Sequence, residues 1–357
     1  MRECGVGHFV RLLVFGVGDL VLKRLALAIG NLYHQGRLAA AAFVDIVSVC
    51  PPPLAPLLPP GLDWSYFPTA PDTIPFEALR AAGYLQSDVA TYLASPTDCH
   101  LPQAEQLARK VGAVFVEKPF TRSLGGMEDL LLQAPVNVYP IAHPLFKASM
   151  SGFLAACGRN VLSDVAWLEF RLMERIGVGL RQIDPALWDL VYHAFELFLS
   201  VCRATGADVA IEIGSAVVGT FRPCDGQVAP QVTTAARVEG TLRLSQRRIG
   251  FAAVVGKGLS ETVKNLVARD AGGRILWKVD LGESGHLAHQ RLLTEALGPR
   301  PDMKLSLADS LAMVRACTEA DAIAVDAGTY AFGRTPQFLA GPRDTLFAGP
   351  RIAIRSA

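Results

Sequence analysis

Residues 11–45 read RLLVFGVGDLVLKRLALAIGNLYHQGRLAAAAFVD, two short apolar runs on either side of a longer amphipathic one. RLLVF has the length and content of a buried strand, LVLKRLALAIGNLYHQG has helical periodicity and stops at Gly36, and LAAAAFVDIV is strand-like again. Strand, helix, strand predicts a βαβ unit and a parallel sheet. Gly16 and Gly18 fall at the first strand-to-helix junction, where glycine permits a tight turn and lets backbone N–H groups approach a pyrophosphate at a helix N-terminus. Asp19 and Leu20 open that helix on the same side. The third position of a G-x-G-x-x-G fingerprint is Val21, so the glycine signal alone is weak. Asp45 strengthens it, since an acid ending the second strand stands where a carboxylate accepts the ribose hydroxyls of adenosine; the alternative is an Asp that starts a turn. A carboxylate there repels a 2′-phosphate and no Arg or Lys follows closely, which favours NAD over NADP.

A second unit of the same kind follows: SDVATYLAS, the helical LPQAEQLARKVG, then AVFVE. Ligands of open α/β sheets bind outside the carboxyl ends of the strands. Ser95, Pro96 and His100 in LASPTDCH, and Glu117 and Lys118 in VFVEKPFT, fall at that edge and are expected on the nucleotide side. A buried strand rarely leads straight into two opposite charges and a proline. Lys118 is therefore expected to point into the crevice where a nicotinamide ring lies, with Glu117 either anchoring the lysine's backbone or pairing locally. Between the two units, CPPPLAPLLPPGLDWSYFPTAPDTIP is Pro-rich and reads as an irregular surface loop, a spacer or a lid.

After about residue 160 strand-like runs follow one another between turn residues: VAWLEFRLME, VAIEIGSAVVGTF, TTAARVEGTLRLS, RIGFAAVVG, VKNLVARDA and RILWKVD. This grammar predicts a largely antiparallel sheet, interrupted by two helices, PALWDLVYHAFELFLSVCRATG and SLADSLAMVRACTEADAIAV. The expected architecture is an α/β Rossmann domain over residues 1–148 and an α+β domain with an open sheet over residues 149–357, closed by a Gly/Pro-rich tail.

The first of those helices is apolar on most sides yet carries Asp189, His193 and Glu196 at spacings of four and three, which puts all three on one face. A buried histidine alone is commonly a hydrogen-bonded core residue. With Asp189 one turn earlier, a carboxylate can orient the imidazole and stabilise its protonated form, which suits a general base near neutrality. Lys118 would then hydrogen-bond the substrate oxygen and stabilise developing negative charge. His143 and Lys147 in IAHPLFKAS form a second basic pair, either a contact to a phosphate, carboxylate or hydroxyl of the substrate or a solvated surface pair. Glu174, closing a strand, could accept hydrogen bonds from sugar hydroxyls.

Composition narrows the function further. The 357 residues are 51% hydrophobic, with 34 Lys and Arg against 33 Asp and Glu. No basic run interleaved with aromatics marks a nucleic-acid partner. No stretch supplies the roughly 20 apolar residues of a membrane span, and the opening MRECGVGHFVRLLVFGVGDL resembles a signal peptide only superficially. Seven scattered cysteines without a C-x-x-C pair suit a reducing compartment, so a cytoplasmic protein is expected. No metal site is indicated: the His286 and His289 pair reads as a solvent-facing helix start without a third ligand. An open sheet in the second domain needs its far face covered, which suggests a homo-oligomer.

The stretch LASPTDCHLPQAEQLARKVGAVFVEKPFT, with VFGVGDL before it and DLVYH after it, resembles the Gfo/Idh/MocA oxidoreductases. The resemblance implies a catalytic group of Lys118, Asp189 and His193, a nicotinamide cofactor, a sugar or polyol substrate, and a cis peptide at Pro119. A related likeness is to glucose-6-phosphate dehydrogenases: EKPFTRSL resembles E-K-P-F-G-R-D-L, IAHPLFK is similar to I-D-H-Y-L-G-K, and MERIGV resembles their segment with a substrate-binding glutamate. It implies substrate contacts from His143, Lys147 and Glu174. Ala142 and Pro144 depart from that pattern, as does the lack of a basic residue after the second strand. The expected function is an NAD-dependent dehydrogenase of a sugar, polyol or sugar derivative. The rivals are a redox-neutral lyase or epimerase using transient oxidation, and a silent NAD-binding regulatory protein.

Overall fold

A computed structural model describes residues 10–70, 73–156, 160–174, 184–222, 232–245, 247–283, 285–298 and 301–339. The chain divides into two compact units, Met1–Ala156 with Glu283–Thr318, and Cys157–Gly282 with Glu319–Ala357.

The first unit is built on strands β1 (Arg11–Phe15), β2 (Ala40–Asp45), β3 (Asp63–Pro68), β4 (Val89–Leu93), β5 (Ala113–Val116) and β6 (Val138–Pro140). Their spatial order is β3-β2-β1-β4-β5-β6, and every neighbouring pair is parallel. The inner strands are almost wholly buried, as their near-continuous Ala, Val, Leu and Phe content requires of a parallel sheet covered on both faces. Helices α1 (Ala26–His34), α2 (Phe76–Ala81), α3 (Thr97–Leu107), α4 (Leu124–Leu132) and α5 (Ala148–Ala156) complete the expected alternation. Strand order reverses between β1 and β4, so the crevice of a doubly wound sheet opens at the carboxyl ends of those two strands.

The second unit holds β7 (Trp167–Glu174), α6 (Tyr192–Ala204), β8 (Val209–Arg222), β9 (Ala235–Leu244), β10 (Arg247–Lys257), β11 (Val263–Arg269) and β12 (Ile275–Asp280). Helices α7 (Gly285–Ala296) and α8 (Leu307–Ile323) precede a last strand, β13 (Ala324–Ala331). The sheet runs β12-β11-β7-β10-β9-β8-β13 and is mostly antiparallel, with β7/β10 and β8/β13 parallel. One face is sealed by α6, whose Phe195 and Phe198 rings pack on Phe251 at centroid distances of 6.0 and 5.3 Å.

Four elements depart from the sequence reading. The Pro-rich stretch contains a 3-10 turn, Ala55–Leu57, and the edge strand β3, whose Trp64 meets Phe43 edge-on. Proline is tolerated there because it ends an edge strand, where a ladder donor is dispensable. The division at residue 149 is also too simple, because residues 283–318 return to the first unit. A third helix, α7, does this by packing on α1, with Arg37 donating to the Thr294 carbonyl at 2.6 Å and Asn31 donating to the Gln290 side chain at 3.0 Å. The run read as one late helix ends at Ile323 and becomes β13. Most of the C-terminal tail, residues 340–357, lies outside the described residues.

Candidate functional site

The glycine loop sits at the reversal point. Gly16 has φ +84°, and a Cβ on it would lie 2.6 Å from the Ala94 carbonyl oxygen and 2.8 Å from Ser95 Cα, so only glycine fits where the ends of β1 and β4 meet. A Cβ on Gly18, in contrast, would meet nothing within 4 Å, which leaves an open cradle in front of the helix N-terminus. Asp45 closes the loop from β2: its carboxylate accepts the Val17 N–H on Oδ2 and the Val47 N–H on Oδ1, the latter at 3.3 Å. These features fit a dinucleotide, with Gly16 and Gly18 under the pyrophosphate and Asp45 toward the ribose. A π turn, Val21–Leu25, follows directly and leads into α1; such turns recur at functional sites. Asp19 is exposed and paired with Lys23 one turn on, at 2.7 Å.

The end of β5 is tied down from several sides. The Lys118–Pro119 peptide is cis. The Pro119 carbonyl lies 3.0 Å from His100 Nδ1, while His100 Nε2 lies 2.7 Å from the Ser95 carbonyl. His100, read from sequence as a nucleotide contact, is buried and braces the loops after β4 and β5, both ring nitrogens being directed at backbone oxygens. Arg122 grips Asp98 at the start of α3 with both carboxylate oxygens within 2.9 Å, and Ser95 Oγ donates to Gln103 at 2.6 Å. Glu117 is buried, and its Oε2 accepts the backbone N–H of Lys118 at 3.1 Å, the anchoring arrangement anticipated from sequence. Its Oε1 takes the Tyr92 hydroxyl at 2.5 Å and faces His289 Nε2 at 3.5 Å. Burial by itself would raise the Glu117 carboxyl; the opposing pull of His289, the Tyr92 hydroxyl and the Lys118 charge brings it down to about 2.

His143 and Lys147 are placed within the first unit by packing. The His143 ring stacks on His289 at a centroid distance of 5.0 Å, and Lys147, 8% exposed, donates to the Glu283 carbonyl at 3.2 Å. Neither is the solvated surface residue that one sequence reading allowed. His289 is a further correction: it is fully buried on α7 rather than solvent-facing. Among the described residues no group of three or more His, Cys, Asp or Glu is arranged to hold a metal ion.

In the second unit the polar residues of the apolar helix are brought to order, with different partners from those expected. His193 Nδ1 is 2.7 Å from Glu196 Oε2, and both side chains are buried, at 7% and 0% exposure. Asp189 accepts from Lys257 Nζ at 2.7 Å. The carboxylate hydrogen-bonded to His193 Nδ1 is that of Glu196, three residues on, where the sequence reading paired the imidazole with Asp189. The reason is local: Asp189 lies in a π turn, Leu187–Val191, whose longer hydrogen-bond span breaks the α-helical register assumed between Asp189 and His193. Lys257 ends β10 directly opposite Glu174, which ends β7, and Glu174 is held by Lys264 at 2.5 Å. Lys257 went unnoticed, although RIGFAAVVGK has the same form as VFVEK, a buried strand that ends in lysine.

No family profile matches the chain, and no curated protein matches its sequence. Its fold, however, is shared with solved oxidoreductases. A glucose-6-phosphate 1-dehydrogenase from Mycobacterium avium matches with a TM-score of 0.63 at 16% identity, over 93% of this chain and 96% of that one. GenD2 from gentamicin A biosynthesis, in complex with NAD, matches with a TM-score of 0.61 at 17% identity, over 90% and 95% of the two chains. A variant of KijD10, a 3-ketoreductase from Actinomadura kijaniata in complex with TDP-benzene and NADP, matches with a TM-score of 0.60 at 15% identity, over 89% and 99%. The architecture is thus the two-domain fold of these solved structures. Among the described residues, no helix is long and apolar enough to cross a membrane.

Proposed function

We propose that this chain is an NAD-dependent oxidoreductase acting at a hydroxyl-bearing carbon of a sugar, polyol or sugar derivative, phosphorylated and nucleoside-linked forms included. The observation that carries the reading is the buried His193–Glu196 pair. A neutral imidazole whose Nδ1–H is held by a carboxylate presents Nε2 as the basic nitrogen, the arrangement a general base needs. His193 takes the hydroxyl proton, Glu196 fixes the ring and stabilises its charged form, and Lys118 donates to the substrate oxygen. Asp189, Lys257, Glu174 and Lys264 supply alternating charges suited to orienting a polyhydroxylated molecule. When bound, the nicotinamide accepts or returns a hydride at that carbon. Gly16, Gly18 and Asp45 hold the dinucleotide, and the Asp45 carboxylate favours NAD by repelling a 2′-phosphate.

A panel of sugars, sugar phosphates, inositols and nucleosides, offered with NAD and then NADP, should show absorbance of the reduced nicotinamide with NAD and a weaker response with NADP. Substrate conversion without net reduced cofactor would point to a redox-neutral lyase or epimerase. Nucleotide binding without conversion of any panel member would support the silent regulatory reading.

The sheet face turned away from α6 is assigned to a second copy of the chain. It carries the ion pairs Arg171–Glu169 and Arg237–Glu239 on the strands that flank β10, whose Ala252 and Val254 are buried. Charges of both signs on one sheet face are complementary to the same surface rotated by a two-fold axis. Sedimentation should give at least a dimer, and Arg171→Glu, at a partly exposed position on that face, should shift it to monomer.

A further inference from the structure

His289 takes no part in the function proposed above, yet it is fully buried beside the one acid next to Lys118. Its Nδ1 is 2.7 Å from the Gly285 carbonyl, which can only accept, so Nδ1 carries a hydrogen and Nε2 is turned to Glu117. The His143 ring stacks on that of His289 at a centroid distance of 5.0 Å. The charged or titratable groups that face this cluster are Tyr92 from β4, Lys118 after β5, His143 from the 3-10 turn His143–Phe146, and Arg24 from the π turn before α1. Glu117 accepts hydrogen bonds from the Tyr92 hydroxyl and the backbone N–H of Lys118, and His289 Nε2, which has no hydrogen-bond partner among the described residues, faces its Oε1 at 3.5 Å.

We propose that His289 is a positioning residue for Lys118: from α7 it holds the Glu117 carboxylate in place, and Glu117 fixes the backbone from which the lysine projects. This rests on the reading of Lys118 as the group that donates to the substrate oxygen. It also gives the chain's return to the first unit a function, since α7 delivers a side chain to the end of β5. The low titration of Glu117 agrees with such a clamp, because burial without a partner would drive the carboxyl up from its ordinary 4.5.

Three variants test it. His289→Leu removes the ring nitrogens and keeps an apolar filler under His143. His289→Gln keeps a side-chain N–H near the position of Nε2. Glu117→Gln asks the same question from the other partner, and decides the matter if the leucine variant does not fold. Two readouts are independent of activity. In wild type, Glu117 contributes stability above about pH 4.5 that is lost as the pH falls toward about 2, and in His289→Leu that loss should begin at higher pH. After reductive ¹³C-methylation, the dimethyl-lysine resonance of Lys118, assigned by its absence in Lys118→Arg, should move in His289→Leu and return in His289→Gln. The turnover of His289→Leu should fall roughly 10- to 100-fold with KM changed by less than about twofold, and glutamine should restore most of it. A Lys118 resonance and turnover unchanged in His289→Leu, or equal losses in the leucine and glutamine variants, would overturn the proposal. Full turnover in Lys118→Met would instead overturn the reading of the lysine and leave the clamp itself measurable.

Discussion

His193→Ala should reduce turnover by about 10²- to 10⁴-fold, the usual contribution of a positioned general base, while NAD affinity changes by less than about twofold. The split is expected because His193 belongs to the second unit and the glycine loop and Asp45 to the first. Equilibrium nucleotide binding by fluorescence, with single-turnover rates on a panel substrate, separates the two. A companion pair of variants distinguishes the structure from the helical-spacing argument. Glu196→Gln leaves the imidazole without an anion on Nδ1, so it should lower kcat with little change in KM. Asp189→Asn removes the counter-charge of Lys257 and should act mainly on KM. A larger kcat loss in Asp189→Asn than in Glu196→Gln would return the orienting role to Asp189, and full activity in His193→Ala would sink the assignment of the base.

Why the sequence reading paired His193 with Asp189, and left Glu196 without a role, is a matter of backbone register. Apolar periodicity locates a helix and its buried face, on which His193 and Glu196 meet. It carries no signal for a π turn, and with that turn at Leu187–Val191 the i, i+4 rule no longer applies across Asp189 and His193. The βαβ units were legible for the opposite reason. Strands buried on both faces and glycines at strand ends leave dense local patterns, as RLLVFGVG and AVFVEKP do. Hidden from view were features fixed by distant chain. β3 is recruited by its neighbour in the sheet although prolines surround it, α7 belongs to the first unit only through tertiary packing, and His289 is buried by residues more than a hundred positions earlier.

Gly16 and Gly18 look alike in the sequence and should behave oppositely on substitution. At Gly16 the backbone is left-handed, and an added methyl would overlap the backbone of Ala94 and Ser95, which cannot rotate away as a side chain would. The conformation alone costs an L-residue about 1–2 kcal/mol, and the overlap adds to it. Gly16→Ala should therefore lower the melting temperature by several degrees, at about 2–4 °C per kcal/mol, and weaken nucleotide binding as a consequence. At Gly18 a methyl meets nothing within 4 Å, so Gly18→Ala should melt with the wild type when no nucleotide is present. If the open space is the pyrophosphate cradle, that same methyl occupies it. Overpacking of about 1–3 kcal/mol then weakens NAD binding roughly 10- to 100-fold. The useful quantity is the gain in melting temperature on adding NAD, because a ligand stabilises in proportion to the logarithm of its concentration over Kd. It should be large for the wild type and nearly absent for Gly18→Ala, although both start from the same unliganded stability. A Gly18→Ala protein that gains as much from NAD as the wild type would place the dinucleotide elsewhere, and Asp45 would then be a residue that only closes a turn.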